Sequence, residues 1–223
     1  MAPVEVPALR PLAARVVDRY AGCSRYARGF VQGKLLTDPA TGAILRLAAA
    51  KGGFGRVADL GCGRGQVGLA LLLAGLAESV AGLDLDAGKI ADAKRAAAGL
   101  PAGYEAADLA LAPVPPCDTV LIFDVLLQMP VRAQLDLVAR MAEAAQRRVV
   151  IRAFDPDCGW RARLGSAMEE AGRRLRRDGS AFEPLPLARL EAPLRERGFQ
   201  TRVTPCWGWT PLPNVMLVAE RPR

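Results

Sequence analysis

The sequence predicts an α/β protein built on a mostly parallel sheet, and three observations carry that expectation. From residue 51 onward, short β-branched or apolar runs alternate with alanine-rich helical stretches, the pattern of parallel strands joined by helices. The first of these runs ends in a glycine-rich turn that opens a helix. The last two runs are separated only by a short turn-rich segment, as in an antiparallel pair. A chain of 223 residues suits one large α/β domain and is short for two complete domains with a cleft between them.

Taken in order, residues 1–50 read as two helical stretches around an aromatic and basic segment, Tyr20 to Phe30, and form an N-terminal helical cap or lid on the main domain, 51–223. The strand candidates are "RVADLG", "SVAGLD", "GYEAA", "DTVLIFD" and "RRVVIRA". Helices are expected from "VGLALLLAGLA", "AGKIADAKRAAA" and "RAQLDLVARMAEAA". Between the third and fourth strands stands "DLALAPVPPC", where Pro113, Pro115 and Pro116 forbid a regular helix, so a crossover loop is expected. After the helical "LARLEAPLRERG", the runs "FQTRVTP" and "NVMLVAE" flank the turn-rich "CWGWTPLP" and make the closing antiparallel pair.

Composition removes several classes of chemistry. Histidine is absent, which excludes the commonest general base, every Ser-His-Asp constellation and all histidine metal sites. The five cysteines are odd in number and lack any CxxC, so reduced thiols are expected and neither a disulfide frame nor a zinc knuckle is. With 51% apolar residues but no run approaching a membrane span or secretory signal, the chain is expected to be cytoplasmic. Its net charge of +7 comes mostly from arginine and points only weakly to an anionic partner.

The stretch "VADLGCGRGQVG" admits two readings. Gly63, Gly65 and Gly68 spell GxGxxG, whereas Gly61, Gly63 and Gly65 follow an acidic residue, Asp59, at the end of the first strand. A carboxylate there is awkward for a pyrophosphate, which needs the same turn and helix N-terminus, and suits a ligand with a cationic or amino-bearing end. Asp84 closes the second strand about twenty residues later, where a carboxylate accepts ribose hydroxyls under either reading.

Motif order separates the two. "VADLGCGRG", "VAGLDLD", "YEAADLA", "CDTVLIFDVLLQMP" and the final "RGF…NVMLVAERP" resemble, in sequence and spacing, the successive motifs of class I S-adenosylmethionine-dependent methyltransferases over roughly residues 51–223. The resemblance implies a Rossmann-like sheet of seven strands with an antiparallel last strand, helices on both faces, and the cofactor across the carboxyl ends of the first strands. It implies that Gly61, Cys62, Gly63 and Gly65 line the methionine and ribose, and that Asp59 supports the turn or a water near the amino group. Asp84 would hold the ribose hydroxyls, Leu85 would lie on the adenine, and Asp108 with Leu109 would meet the adenine amine. Phe123 and Asp124 would face the methionine end. Many relatives carry a histidine pair where this chain has Leu127 and Gln128, so any chemistry by that histidine is missing.

Further candidates lie outside these motifs. In "GCSRYARGFVQGKLLTDP", which resembles a bacterial subset of methyltransferases, Arg25, Arg28 and Lys34 could pair with the cofactor carboxylate or an acidic substrate. Tyr20, Tyr26 and Phe30 could wall the pocket or pack the cap. Asp155 and Asp157 follow the fifth strand; Asp155 and Tyr26 are the catalytic candidates, and Asp157 is expected to cap the next helix. A magnesium site of Asp124, Asp155 and Asp157 is the less favoured alternative, and no metal is expected. That helix would carry an apolar stripe of Trp160, Leu164, Met168, Ala171 and Leu175 opposite Arg163, Arg173, Arg174, Arg176 and Arg177, a solvated face or a dock for a carrier protein or membrane surface. Basic residues interleaved with stacking aromatics are not found, so nucleic acid is not an expected partner. The expected activity is methylation of a small molecule, acidic or carrier-bound acceptors included, at oxygen, nitrogen or carbon. An RNA or protein methyltransferase and a non-catalytic cofactor-binding domain are the alternatives.

Overall fold

The structure, a computed structural model, describes residues 8–176 and 182–222, with side chains 172–176 outside the description. Seven strands form one sheet in the order β3-β2-β1-β4-β5-β7-β6. They are β1 (Arg56–Leu60), β2 (Ser79–Asp84), β3 (Ala102–Ala106), β4 (Cys117–Phe123), β5 (Ala145–Phe154), β6 (Gln200–Pro205) and β7 (Asn214–Glu220). Strands β1 to β5 pair in parallel, while β7 runs antiparallel between β5 and β6. The run "VLIF" of β4 is continuously apolar, as a strand covered on both faces must be.

Two layers cover the sheet. Helices α1 (Leu9–Asp18), α2 (Arg25–Thr37), α3 (Pro39–Ala50), α4 (Gln66–Leu73) and α5 (Ala87–Ala96) share one apolar cluster with Val57, Val80, Leu121 and Val150. On the other face, α6 (Val131–Ala144) and α8 (Leu187–Glu196) bury Leu137, Val138, Met141 and Leu194 against Ala58, Leu60, Val120 and Ile122. Each such fully buried side chain contributes about 1.5–3 kcal/mol. Alternation along β1 therefore turns Val57 to the first layer and Leu60 to the second.

Three elements differ from expectation. The N-terminal 50 residues hold three helices: the Tyr20 to Phe30 segment runs into α2, and Asp38 then caps α3 at Pro39. Asp38 accepts from the Ala40 N–H, and proline at the first helical position lacks the N–H that a helix start leaves unpaired. Helix α7 (Gly159–Arg176) does not bury the apolar stripe, since Trp160, Leu164 and Met168 are 63%, 39% and 50% exposed. Its inward face carries Ala162 and Gly165, because a Cβ on Gly165 would come within 2.8 Å of Phe154 and 2.9 Å of Pro213. Close backbone approach selected the small residues. Of the arginines on that helix, 173, 174 and 176 have side chains outside the description and Arg177 lies outside the described residues altogether. Asp157 lies two residues before α7 begins and so misses the cap position; Asp155 instead accepts from the Asp157 N–H at 3.0 Å and shapes the turn. The proline-rich 107–116 segment forms no helix, and Arg140 of α6 fastens it by donating to the carbonyls of Leu109 (2.6 Å) and Ala110 (3.3 Å).

Candidate functional site

Chain order along the sheet reverses at β1, whose neighbours are β2 on one side and β4 on the other. Crossovers leaving in opposite directions open a crevice beyond the carboxyl ends of these strands. A cavity of about 660 Å³ lies there. Eleven of the twelve residues expected to hold the cofactor line it: Lys34, Asp59, Gly61, Cys62, Gly63, Asp84, Leu85, Asp108, Leu109, Phe123 and Asp124. Gly65 is the exception. It caps α4 in the left-handed region, φ 77°, and a Cβ there would come within 2.6 Å of the Tyr104 ring. Its role is to let the turn pass over Tyr104, one layer below the cavity.

Gly61 is also left-handed, φ 67°, and a Cβ on it would stand 2.1 Å from Val125, so the β1 and β4 ends approach more closely than any side chain allows. The Gly61 and Cys62 N–H groups both donate to the Leu83 carbonyl, which ties the turn to β2. Asp84 then takes the Gly63 N–H on one oxygen (2.7 Å) and the Asp86 N–H on the other (2.9 Å). A carboxylate has about four acceptor positions. Two stay open toward the cavity, a match for a pair of ribose hydroxyls.

Asp59 lies beneath, 6% exposed, with the Gly68 N–H as a donor and Oδ2 without any partner. Burial, reinforced by the charge of Asp84, pushes its pKa up to about 7. A buried acceptor without a donor on the wall of a cavity calls for a hydrogen-bonding cation, and the amino group of a bound methionine moiety is one. The residues present thus fit S-adenosylmethionine. Cys62, 5% exposed, is no nucleophile, since burial and then the charges of Asp59 and Asp84 raise its thiol.

The far end of the cavity is closed by Phe30 and Lys34 of α2 and by Asp124, Gln128 and Met129. Asp124 adopts φ 60°, the single non-glycine residue in that region among those described. An ion network holds it there. Arg152, 6% exposed on β5, donates to Asp124 and to Asp38 (2.9 Å), while Lys34 meets Asp38 at 2.6 Å and Asp124 at 3.4 Å. Burial opposes the charge on Asp38, yet Arg152 and Lys34 hold its carboxyl below the ordinary range. Gln128 donates to the Asp124 carbonyl at 2.7 Å. Arg64 of the glycine turn pairs with Asp92 at 3.1 Å and lies under the Tyr26 and Phe30 rings, 5.6 and 5.2 Å from their centroids.

Two sequence candidates are elsewhere. Tyr26 is 72% exposed and does not line the cavity. Asp155 does not line it either, being held in the turn before α7, so neither catalytic assignment is supported by position. No group of three metal-ligating side chains forms among the described residues, and Asp124, Asp155 and Asp157 are not brought together. Sequence reasoning missed Asp38 and Arg152, whose signals were a residue before proline and an arginine inside an apolar strand.

A switch-point crevice, an acid before the glycine turn, an acid closing β2 and a single antiparallel β7 are the features of the class I, Rossmann-like methyltransferase fold. Residues 57–148 match the family model for a methyltransferase domain. No curated protein matches the sequence. Among solved structures, magnesium protoporphyrin IX methyltransferase from Synechocystis with bound S-adenosylhomocysteine is 22% identical, covering 94% of each chain at a TM-score of 0.62. The N-methyltransferase NodS from Bradyrhizobium japonicum, also with S-adenosylhomocysteine, is 13% identical, covering 95% of this chain and 99% of the other at 0.62. The pyocyanin biosynthetic protein PhzM is 21% identical, covering 92% of this chain and 61% of the other at 0.65. At these identities the likeness is one of fold.

Proposed function

We propose that the chain transfers the methyl group of S-adenosylmethionine to a small-molecule acceptor. The carrying observation is the cap: α2 contributes Phe30 and Lys34 to the cavity wall, Lys34 3.4 Å from Asp124, so the acceptor would be bounded by a helix rather than by an open surface suited to a tRNA or a folded protein. When bound, the cofactor supplies a methyl group already activated on a sulfonium. The chain supplies alignment. Asp84 fixes the ribose, Asp59 takes the amino end, and the cap limits water at the transfer position. No histidine is needed for that. The test pairs calorimetry with labelling: micromolar binding of S-adenosylmethionine, none of NAD, and label from the methyl group entering small-molecule extract rather than tRNA or protein. Binding of NAD alone, or label only in polymer, would overturn the reading.

A further inference from the structure

We propose that the methyl acceptor is an amine, held by Asp124 at the end of the cavity closed by Phe30, Gln128 and Met129; this rests on the small-molecule transfer proposed above.

The sign of the wall is the first argument. Five aspartates line the cavity against two lysines. Both lysines are engaged, Lys89 with Asp86 at 3.5 Å and Lys34 with Asp38 and Asp124. An anionic acceptor would meet repulsion with no open cation to receive it. The acidic acceptor considered from the sequence fits this wall poorly, whereas a centre that becomes cationic fits it well.

The second argument concerns the proton. A hydroxyl must lose one as it attacks, and carboxylates as a class hold protons about six pKa units more weakly than a phenol. The cavity wall carries no tyrosine, and its thiol, Cys62, is buried and raised. Asp59, 6% exposed, is committed to the amino end of the cofactor in the reading above. An amine whose ammonium form has first given its proton to solvent needs no protein base at the moment of transfer. Its lone pair forms the new C–N bond while the C–S bond breaks with its electrons passing to sulfur. The positive charge moves from sulfur to nitrogen, and the ammonium product loses a proton to solvent after release.

Asp124 is built for this task. Arg152 and Lys34 both bind Oδ2, leaving Oδ1 without a hydrogen bond among the described residues on a side chain that is 37% exposed and lines the cavity. Fixed by the network and by Gln128, the carboxylate can orient an N–H and then stand beside the ammonium as it forms. Phe123 lines the same cavity, and an aromatic ring is a favourable neighbour for a cation.

Three isosteric probes test the site without knowledge of acceptor size: tert-butylammonium, tert-butanol and pivalate, titrated by NMR into the full chain loaded with S-adenosylhomocysteine. Expected is ammonium binding roughly tenfold tighter than the alcohol, the scale of one charge-assisted hydrogen bond, with pivalate weakest. Asp124→Asn, compared at saturating S-adenosylhomocysteine, should erase the preference of ammonium over alcohol, and asparagine tolerates the left-handed backbone there. Pivalate binding tightest, or an ammonium preference unchanged in Asp124→Asn, would refute the assignment. A trideuteromethyl label from the cofactor should appear on nitrogen in the acceptor found in extract; label on oxygen, carbon or sulfur refutes it equally. Failure of S-adenosylhomocysteine to bind would strike the parent reading instead, and this one with it.

Discussion

Asp59 and Asp84 stand at the ends of adjacent strands, and the fold treats their charges in opposite ways. Asp84 is half-buried with a backbone N–H on each oxygen, so its carboxyl is fixed in place as an acceptor. Conversion to alanine is expected to weaken cofactor binding by roughly 2–3 kcal/mol, with Asp84→Asn keeping part of the affinity, as calorimetry would show. Asp59 pays for its burial with a raised pKa, from 3.8 to about 7. For an acid raised by folding, the unfolded state loses its proton first. Stability without cofactor should therefore fall as pH rises from 3.8 to about 7, by on the order of 1.4 kcal/mol per unit from this group, and level off above. Asp59→Asn should remove that slope in urea titrations at several pH values. Both acids were legible in the sequence from their places in the motifs. The raised pKa of Asp59 was not, because it depends on α4 and Tyr104 sealing that carboxyl from water.

Helix α3 begins at Asp38, and this start does two jobs. One oxygen caps the helix and the other meets Arg152 and Lys34, so a helix terminus doubles as the anchor of the network behind Asp124. Asp38→Ala should cost about 3 kcal/mol, a lost cap of ~1 together with a weakened partner set for a buried guanidinium. Asp38→Asn should recover the cap share, and chemical denaturation would read the difference. At the cavity rim, Arg64→Ala removes the cation beneath Tyr26 and Phe30 and the partner of Asp92. Faster amide exchange in α2 with unchanged exchange in β4 is the expected result. Periodicity located α6 and α8 correctly but misjudged α7. An apolar stripe says which residues could be buried, while the choice of face there was made by how closely Phe154 and Pro213 approach the helix backbone.

For the whole molecule, the cofactor should act as a folding ligand, because its cavity is assembled from β1, β2, β4 and α2 and exists only in the native state. At a hundred times its dissociation constant, S-adenosylhomocysteine is expected to add about 2.7 kcal/mol to stability, and a scanning calorimeter would show the melting temperature rise accordingly. No rise would mean that the cavity does not take it. The α/β class, the order of the parallel strands along the chain, the proline-broken crossover and the closing antiparallel pair all follow from local pattern and motif order. They do so because strand and helix periods, glycine turns and proline vetoes act over a few residues. Ten of the eleven candidates that line the cavity were readable for the same reason, each at or just past a strand end within a motif, whereas Lys34 stands on α2. Which residues close the other end of the cavity was decided only in three dimensions. Arg152 reaches Asp38 across 114 positions and Asp124 across 28, and Lys34 reaches Asp124 across 90. Such pairings have no local signature, since burial of a charge is a property of everything packed around it, and only the assembled fold brings the compensating charges into place.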